Sequence, residues 1–375
     1  MHARTSAARA LKKAPAPEAP RIPVARMSMP AAQAITPYLE EIDAARWYSN
    51  FGPLLQRFER RLAARFGGAE IVAASSGTAA LTVTLAALEA EPGAYCALPS
   101  WTFAATAHAV SQAGFRPWFV DVDPVNWMLE PARLQAILSA APGRVGAVVP
   151  VCAFGRMADV EGWLAFRRET GVPVVFDAAA AFDAATDARV PLVVSLHATK
   201  ALGVGEGGFL ATTDRQLAAR MRERTAFGFR GSRDAQVPAT NAKLSEYAAA
   251  VGHAALDLWP HSRIAYMRAA QALRIALLHA PEIRFQPGWG SEWISSTCVV
   301  RLPDGAARSF EERFGAAGVD TRRWWCAGCH LSPAFADAAR TGLPVTEQLA
   351  ASTLGIPFAS DLSHDDIARI AGALS

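Results

Sequence analysis

The chain has 375 residues, 51% of them apolar, and a formal net charge of only +3. That length accommodates one large α/β domain and a smaller one. The weak charge, with no Lys/Arg cluster interleaved with aromatics, argues against nucleic-acid binding, and no run of eighteen apolar residues suggests a membrane span.

The first stretch, MHARTSAARALKKAPAPEAPRI, is basic, alanine-rich and then proline-rich. It lacks the apolar segment of a secretory signal. A transit peptide shares some of its composition, but residues 1–22 read better as a disordered tail. The five cysteines (Cys96, Cys152, Cys298, Cys326 and Cys329) are odd in number and thinly spread, which suits a cytoplasmic location rather than a disulfide framework.

From about residue 45, strand and helix patterns alternate. EIVAASSG reads as a strand entering a turn, and TAALTVTLAALEA as the helix after it. AYCALPS, PWFVDVD, GAVVPV and VPVVFDA are apolar runs of strand length, with PARLQAILSA and VEGWLAFRRET as helices among them. This alternation predicts a mixed, mostly parallel sheet covered on both faces, with ligands beyond the carboxyl ends of the strands. After ALDLWP, the pattern HSRIAYMRAAQALRIALLHA predicts a long helix leading to a second set of elements. That set includes STCVVRL and a last helix, HDDIARIAGAL, with Ser363 and Asp366 placed for a capping box. The expected division is a large domain over 23–260 and a smaller C-terminal α+β domain over 261–375.

Two glycine- and cysteine-rich motifs carry weak signals. Gly203 to Gly208 satisfies G-x-G-x-x-G, yet the following segment, FLATTD, reads as a strand where a dinucleotide loop needs a helix. Cys326 to His330, CAGCH, fits the c-type haem attachment pattern. It has neither an export signal nor a second C-x-x-C to complete a zinc site, so it reads as a loop, and no metal is expected.

The basic residues say more. Of 37, only four are lysine: Lys12, Lys13, Lys200 and Lys243. A chain that supplies nearly all its positive charge with arginine has little need of lysine for surface charge. Lysine differs in being able to lose its proton and attack a carbonyl. Lys200, in HATKALGVGEGG, follows the strand-like PLVVSLHAT, and Asp177 ends the strand VPVVF. Gly77 and Thr78 sit between a strand and a helix, where free N–H groups favour a phosphate. An amine, a carboxylate and an anion cradle at strand ends are what pyridoxal phosphate requires.

In these blocks the chain resembles the DegT/DnrJ/EryC1/StrS family of pyridoxal-phosphate sugar aminotransferases, with the aspartate-aminotransferase-like (fold type I) architecture. The resemblance runs from RWYSNFGPLLQRFE through SSGTAAL, LPSWTFAATAHA, VFDAAAAF, SLHATKALGVGEGG and TNAKLSEYAAAVG to GVDTRRWW. It implies Lys200 as the Schiff-base lysine, Asp177 as partner of the pyridine nitrogen, and Phe103 as the aromatic stacked on the cofactor ring. Gly77, Thr78 and Ser195 become phosphate ligands, and Asn241 reaches the phosphate of a neighbouring subunit, which implies a homodimer with shared sites. The expected reaction moves an amino group from an amino acid, glutamate foremost, to a nucleotide-linked keto sugar. The SLHATK and NAKLSE variants lean towards dTDP-linked 6-deoxy sugars aminated at C3 or C4. Ala180 departs from the family's usual Gln or His near the cofactor's 3-hydroxyl. Relatives that dehydrate sugars characteristically lack the lysine, and a non-catalytic cofactor-binding regulator is the remaining alternative.

Overall fold

A computed structural model describes residues 20–374. The disordered tail expected over 1–22 therefore falls almost wholly outside the described residues. Its end does not: Ile22 is buried, its N–H donates to the Gly318 carbonyl (2.9 Å), and its own carbonyl accepts from Asp320 (2.9 Å). An isoleucine among polar and proline residues can bury its side chain only by pairing with a distant segment, a contact that composition does not reveal.

Eleven strands follow in chain order: β1 (Glu70–Ala74), β2 (Tyr95–Pro99), β3 (Arg116–Val120), β4 (Val145–Val148), β5 (Phe176–Asp177), β6 (Leu192–Ser195), β7 (Gly208–Thr212), β8 (Arg284–Phe285), β9 (Cys298–Arg301), β10 (Ala339–Arg340) and β11 (Thr353–Ile356). Two four-stranded ladders, β1-β7-β6-β5 and β10-β3-β2-β4, are joined where Val148 bridges Val174 and Val151 bridges Asp177. Within these two ladders, only the pairings of β7 with β1 and β6 are antiparallel. β2, β6 and β7 are buried at every position, as strands covered on both faces must be.

Local chemistry sets the helix limits. Asp159 caps the helix Val160–Thr170 through the Gly162 N–H (3.1 Å), and Gly171, at φ 71°, ends it in the left-handed conformation. Ser363 and Asp366 form the expected capping box on His364–Gly372.

The long helix begins earlier than its sequence pattern indicates. It spans Glu246–Ala276 and carries Pro260 inside it. Proline costs a helix about 3 kcal/mol, which is why the pattern reads as starting after it. Tertiary contacts offset that cost. Ser245 caps the helix through the Ala248 N–H (3.1 Å), and the buried Glu246 carboxylate accepts the N–H groups of Leu54 and Leu55 (2.9 Å each), capping the helix Pro53–Arg65.

The expected boundary at residue 260 thus lies within one continuous helix. The C-terminal segment is also not self-contained, because β10 adds in parallel to the edge strand β3. The remaining C-terminal strands form an antiparallel sheet, β11-β9-β8. Among the described residues, no helix is long and apolar enough to cross a membrane.

Candidate active site

β1, β2, β4, β5 and β6 point the same way, so their carboxyl ends share one edge of the sheet. A cavity of about 530 Å³ opens there, lined among others by Gly77, Thr78, Phe103, Asp177, Ser195 and Lys200. Six of the seven residues singled out from sequence are therefore brought together.

The anion cradle is shaped by close approach of backbone. Ser76 caps the helix Gly77–Ala86 by accepting from Ala79 N–H (3.0 Å), which leaves the first-turn N–H groups of Gly77 and Thr78 without intrahelical acceptors. A Cβ on Gly77 would lie 2.8 Å from Ser195 Cβ, and one on Gly208 would lie 2.6 Å from Gly77 N. Gly208 is the last glycine of the G-x-G-x-x-G spacing. Its function here is to let β7 pass against the cradle. Ser76, which also lines the cavity, was not singled out from sequence; its signal was the ordinary N-cap position.

Asp177 is buried at the end of β5. One carboxylate oxygen accepts from Thr106 Oγ1 (2.7 Å) and the other from the Ala179 N–H (3.1 Å), while Thr102 Oγ1 meets Thr106 Oγ1 at 2.7 Å. Desolvation pushes the Asp177 carboxyl above its ordinary pKa; the Thr106 and Ala179 hydrogen bonds and the Lys200 charge oppose that rise. Desolvation likewise lowers the Lys200 ammonium, with Asp177 opposing. Thr106, in the FAATAHA block, is a site residue that sequence reasoning missed.

Lys200 sits in a tight excursion between β6 and β7. Its N–H donates to the His197 carbonyl (2.8 Å), Ala198 N–H donates to Gly205 O (2.8 Å), and Gly205 takes φ 97°. Ser296 Oγ, from the C-terminal region, donates to Thr199 O (2.5 Å) and braces the loop.

Phe103, N-cap of the helix Ala104–Gln112, presents its ring to the cavity, 62% exposed. The CAGCH segment holds the loop that carries it. Cys329 Sγ donates to Thr102 O (3.3 Å), and His330 Nδ1 pairs with Ser100 Oγ (2.7 Å). Both residues are buried, and burial pushes the Cys329 thiol up to about 12.

Asn241 is the seventh residue, and it is not part of this chain's cavity lining. It is exposed, and Lys243 Nζ donates to its Oδ1 (2.6 Å) while resting 4.3 Å from the Phe227 ring centroid. Ala180 does line the cavity, where the family's usual Gln or His would stand.

A family model described as the DegT/DnrJ/EryC1/StrS aminotransferase family matches residues 31–375. The chain belongs to that family. Its fold is the fold type I architecture of pyridoxal-phosphate aminotransferases. A Bacillus cereus structure described as a putative PLP-dependent aminotransferase superposes with a TM-score of 0.88 at 26% identity, covering 94% of this chain and 99% of that one. DesI, solved with its TDP-sugar product, gives a TM-score of 0.85 at 33% identity, covering 96% and 93%. GDP-perosamine synthase of Caulobacter vibrioides is 27% identical, over 90% of this chain and 93% of its own. The donor set of the cavity fits pyridoxal phosphate: free helix N–H groups for its phosphate, a buried carboxylate and a desolvated lysine.

Proposed function

We propose that this protein is a cytoplasmic, pyridoxal-phosphate-dependent aminotransferase acting on a nucleotide-linked keto sugar, with glutamate as amino donor. The dTDP-linked 6-deoxy keto-hexoses, aminated at C3 or C4, are the first substrates to try. One observation carries the reading: Lys200, Asp177 and the Gly77–Thr78 cradle converge on a single cavity. When bound, pyridoxal phosphate supplies an electron-accepting ring that lets the bond to hydrogen at the amine-bearing carbon break.

The chain's own residues do the rest. Gly77, Thr78 and Ser195 would hold the phosphate, and Phe103 would pack on the ring. Asp177, whose carboxylate accepts from Thr106 and from the Ala179 N–H, would partner the pyridine nitrogen and hold a proton there. Lys200 would be the covalent attachment point and, when free, would hold or move a proton beside the substrate. Its lowered pKa suits an amine that must spend part of each cycle unprotonated.

Asn241 completes the phosphate site of a partner subunit in a homodimer. With its Oδ1 occupied by Lys243, its amide N–H groups are the end left to donate to an anion. Lys200 in the cavity weighs against sugar dehydration, whose relatives characteristically lack that lysine.

The test is a two-stage assay. Glutamate should convert the cofactor's absorbance from the aldehyde to the amine form, and a panel of nucleotide-linked keto sugars should reverse it. No conversion by any amino donor would favour the regulator reading instead.

A further inference from the structure

Part of the cavity wall is built by the C-terminal segment, far from the phosphate cradle in the chain. Arg322, Trp324 and Trp325 line it, beside Ala25 and Phe154. Arg322 is anchored to β11 by a pair of backbone hydrogen bonds with Gly355, 2.9 Å and 2.8 Å. Its guanidinium carbon lies 4.8 Å from the centroid of the Trp324 ring. That ring is itself fixed, since a Cβ on Gly355 would meet Trp324 Nε1 at 2.2 Å. Trp325 stacks on Phe154 with centroids 4.0 Å apart and planes 16° from parallel.

Neighbouring residues make the contrast. Arg323, one position on, is ion-paired with Glu311 (3.0 Å). Arg322 has no carboxylate within 4.0 Å and no side-chain hydrogen bond among the described residues. Of the other charged groups lining the cavity, His197 and Glu206 face one another (3.4 Å), and Lys200 and Asp177 act on each other. Arg322 is the cation left over. A guanidinium held on an aromatic shelf, with its N–H donors unclaimed, is organised to take a planar or tetrahedral oxyanion through two bonds at once.

We propose that Arg322 is the anion-recognition residue of this part of the wall, binding an anionic group of the substrates: the carboxylate of the amino donor or the diphosphate of the sugar nucleotide. The inference rests on the aminotransferase reading for its two ligand sources but not for its chemistry. It also assigns a role to the RRWW block, where one arginine is structural and its neighbour meets the ligand.

The two sources separate in a binding experiment that needs no turnover. The pyridoxal-phosphate-loaded protein is titrated with 2-oxoglutarate, a dicarboxylate, and separately with dTDP, for parent, Arg322→Gln and Arg322→Lys. Both variants should keep the parent's cofactor absorbance and melting temperature, because Arg322 is exposed and makes no side-chain ion pair. In Arg322→Gln one of the two anions should bind at least about tenfold more weakly. Arg322→Lys should recover part of that loss, since it keeps the charge but not the fork. Weakening confined to 2-oxoglutarate assigns the carboxylate, and weakening confined to dTDP assigns the diphosphate. Parent-like affinity for both in Arg322→Gln, or no binding of either to the parent, would overturn the proposal. Glutamate-driven conversion of the cofactor, run alongside, reports on the aminotransferase reading independently.

Discussion

Two parts of the cavity lining are made in different ways. The floor, with Asp177, Ser195, Gly77 and Lys200, is set by where strands end: Asp177 and Ser195 close β5 and β6, Gly77 opens the helix after β1, Lys200 lies in the loop after β6, and the shared strand direction aligns them. The part of the wall made by Arg322, Trp324 and Trp325 comes from a segment whose course is set by side-chain packing and by one pair of hydrogen bonds to β11. A site can therefore keep its chemistry in the sheet and place its recognition in the connecting chain, where substitutions disturb less of the fold.

If that division holds, floor substitutions should abolish chemistry, and wall substitutions should shift binding. The largest effect is expected for Lys200→Arg, which keeps the charge but cannot bond to the cofactor. Turnover should fall by at least about 10³-fold with the fold retained. Borohydride reduction and peptide mapping should label Lys200 in the parent; a label on Lys243 would break the comparison.

Asp177→Asn comes next, with the glutamate half-reaction slowed about 10²-fold, since an amide cannot stabilise a protonated ring nitrogen. The same substitution should stabilise the cofactor-free protein. The folded-state pKa of Asp177 is raised, so the ionised form costs stability above the carboxylate range, and the cost disappears below the unfolded value of about 3.9. Melting curves should show a gain for Asp177→Asn at about pH 8 that shrinks as the pH is lowered towards that value.

A third experiment asks whether the floor belongs to one chain. Lys200→Ala and Asn241→Asp subunits, each inactive alone, should regain about half the parent's activity per hybrid dimer, because one site then carries both defects and the other neither. Inactive hybrids would mean that Asn241 serves its own chain. The smallest effect is expected for Trp325→Ala at the wall. It should raise KM for the sugar nucleotide about tenfold and change kcat by only a few-fold.

How much of this was legible in the sequence follows the same division. The helix Val160–Thr170 and the capping box at Ser363 were readable because their signals are local: an apolar period and a cap residue. Lys200 and Asp177 were readable because a lysine is rare in this arginine-rich chain and an acid at the end of an apolar strand is a chemical anomaly; Ser195 came only from the family resemblance. Thr106 was not, since a threonine within a helix pattern has no marker until Asp177 is found 2.7 Å away. The helix start at Glu246 was missed because Pro260 is a true local breaker, overridden by contacts some two hundred residues away in sequence. Arg322 was one of 33 arginines in the sequence, and only its place in the cavity lining and over the Trp324 ring distinguishes it.

The pairing of Ile22 with Val319 and of Ala25 with Phe358 brings opposite stretches of the polypeptide to one place. Arg369, in the last helix, donates to the carbonyl of Pro20 at 2.9 Å. Residue 20 thus lies beside the last helix, and a short linker between these described stretches would suit circular permutation, with new ends opened in an exposed turn elsewhere. Trimming is a different matter. Removing Ile22 to Ala25 would strip the partner from Val319 and Phe358 and take Ala25 from the cavity wall, so a minimal functional fragment must start upstream of Ile22.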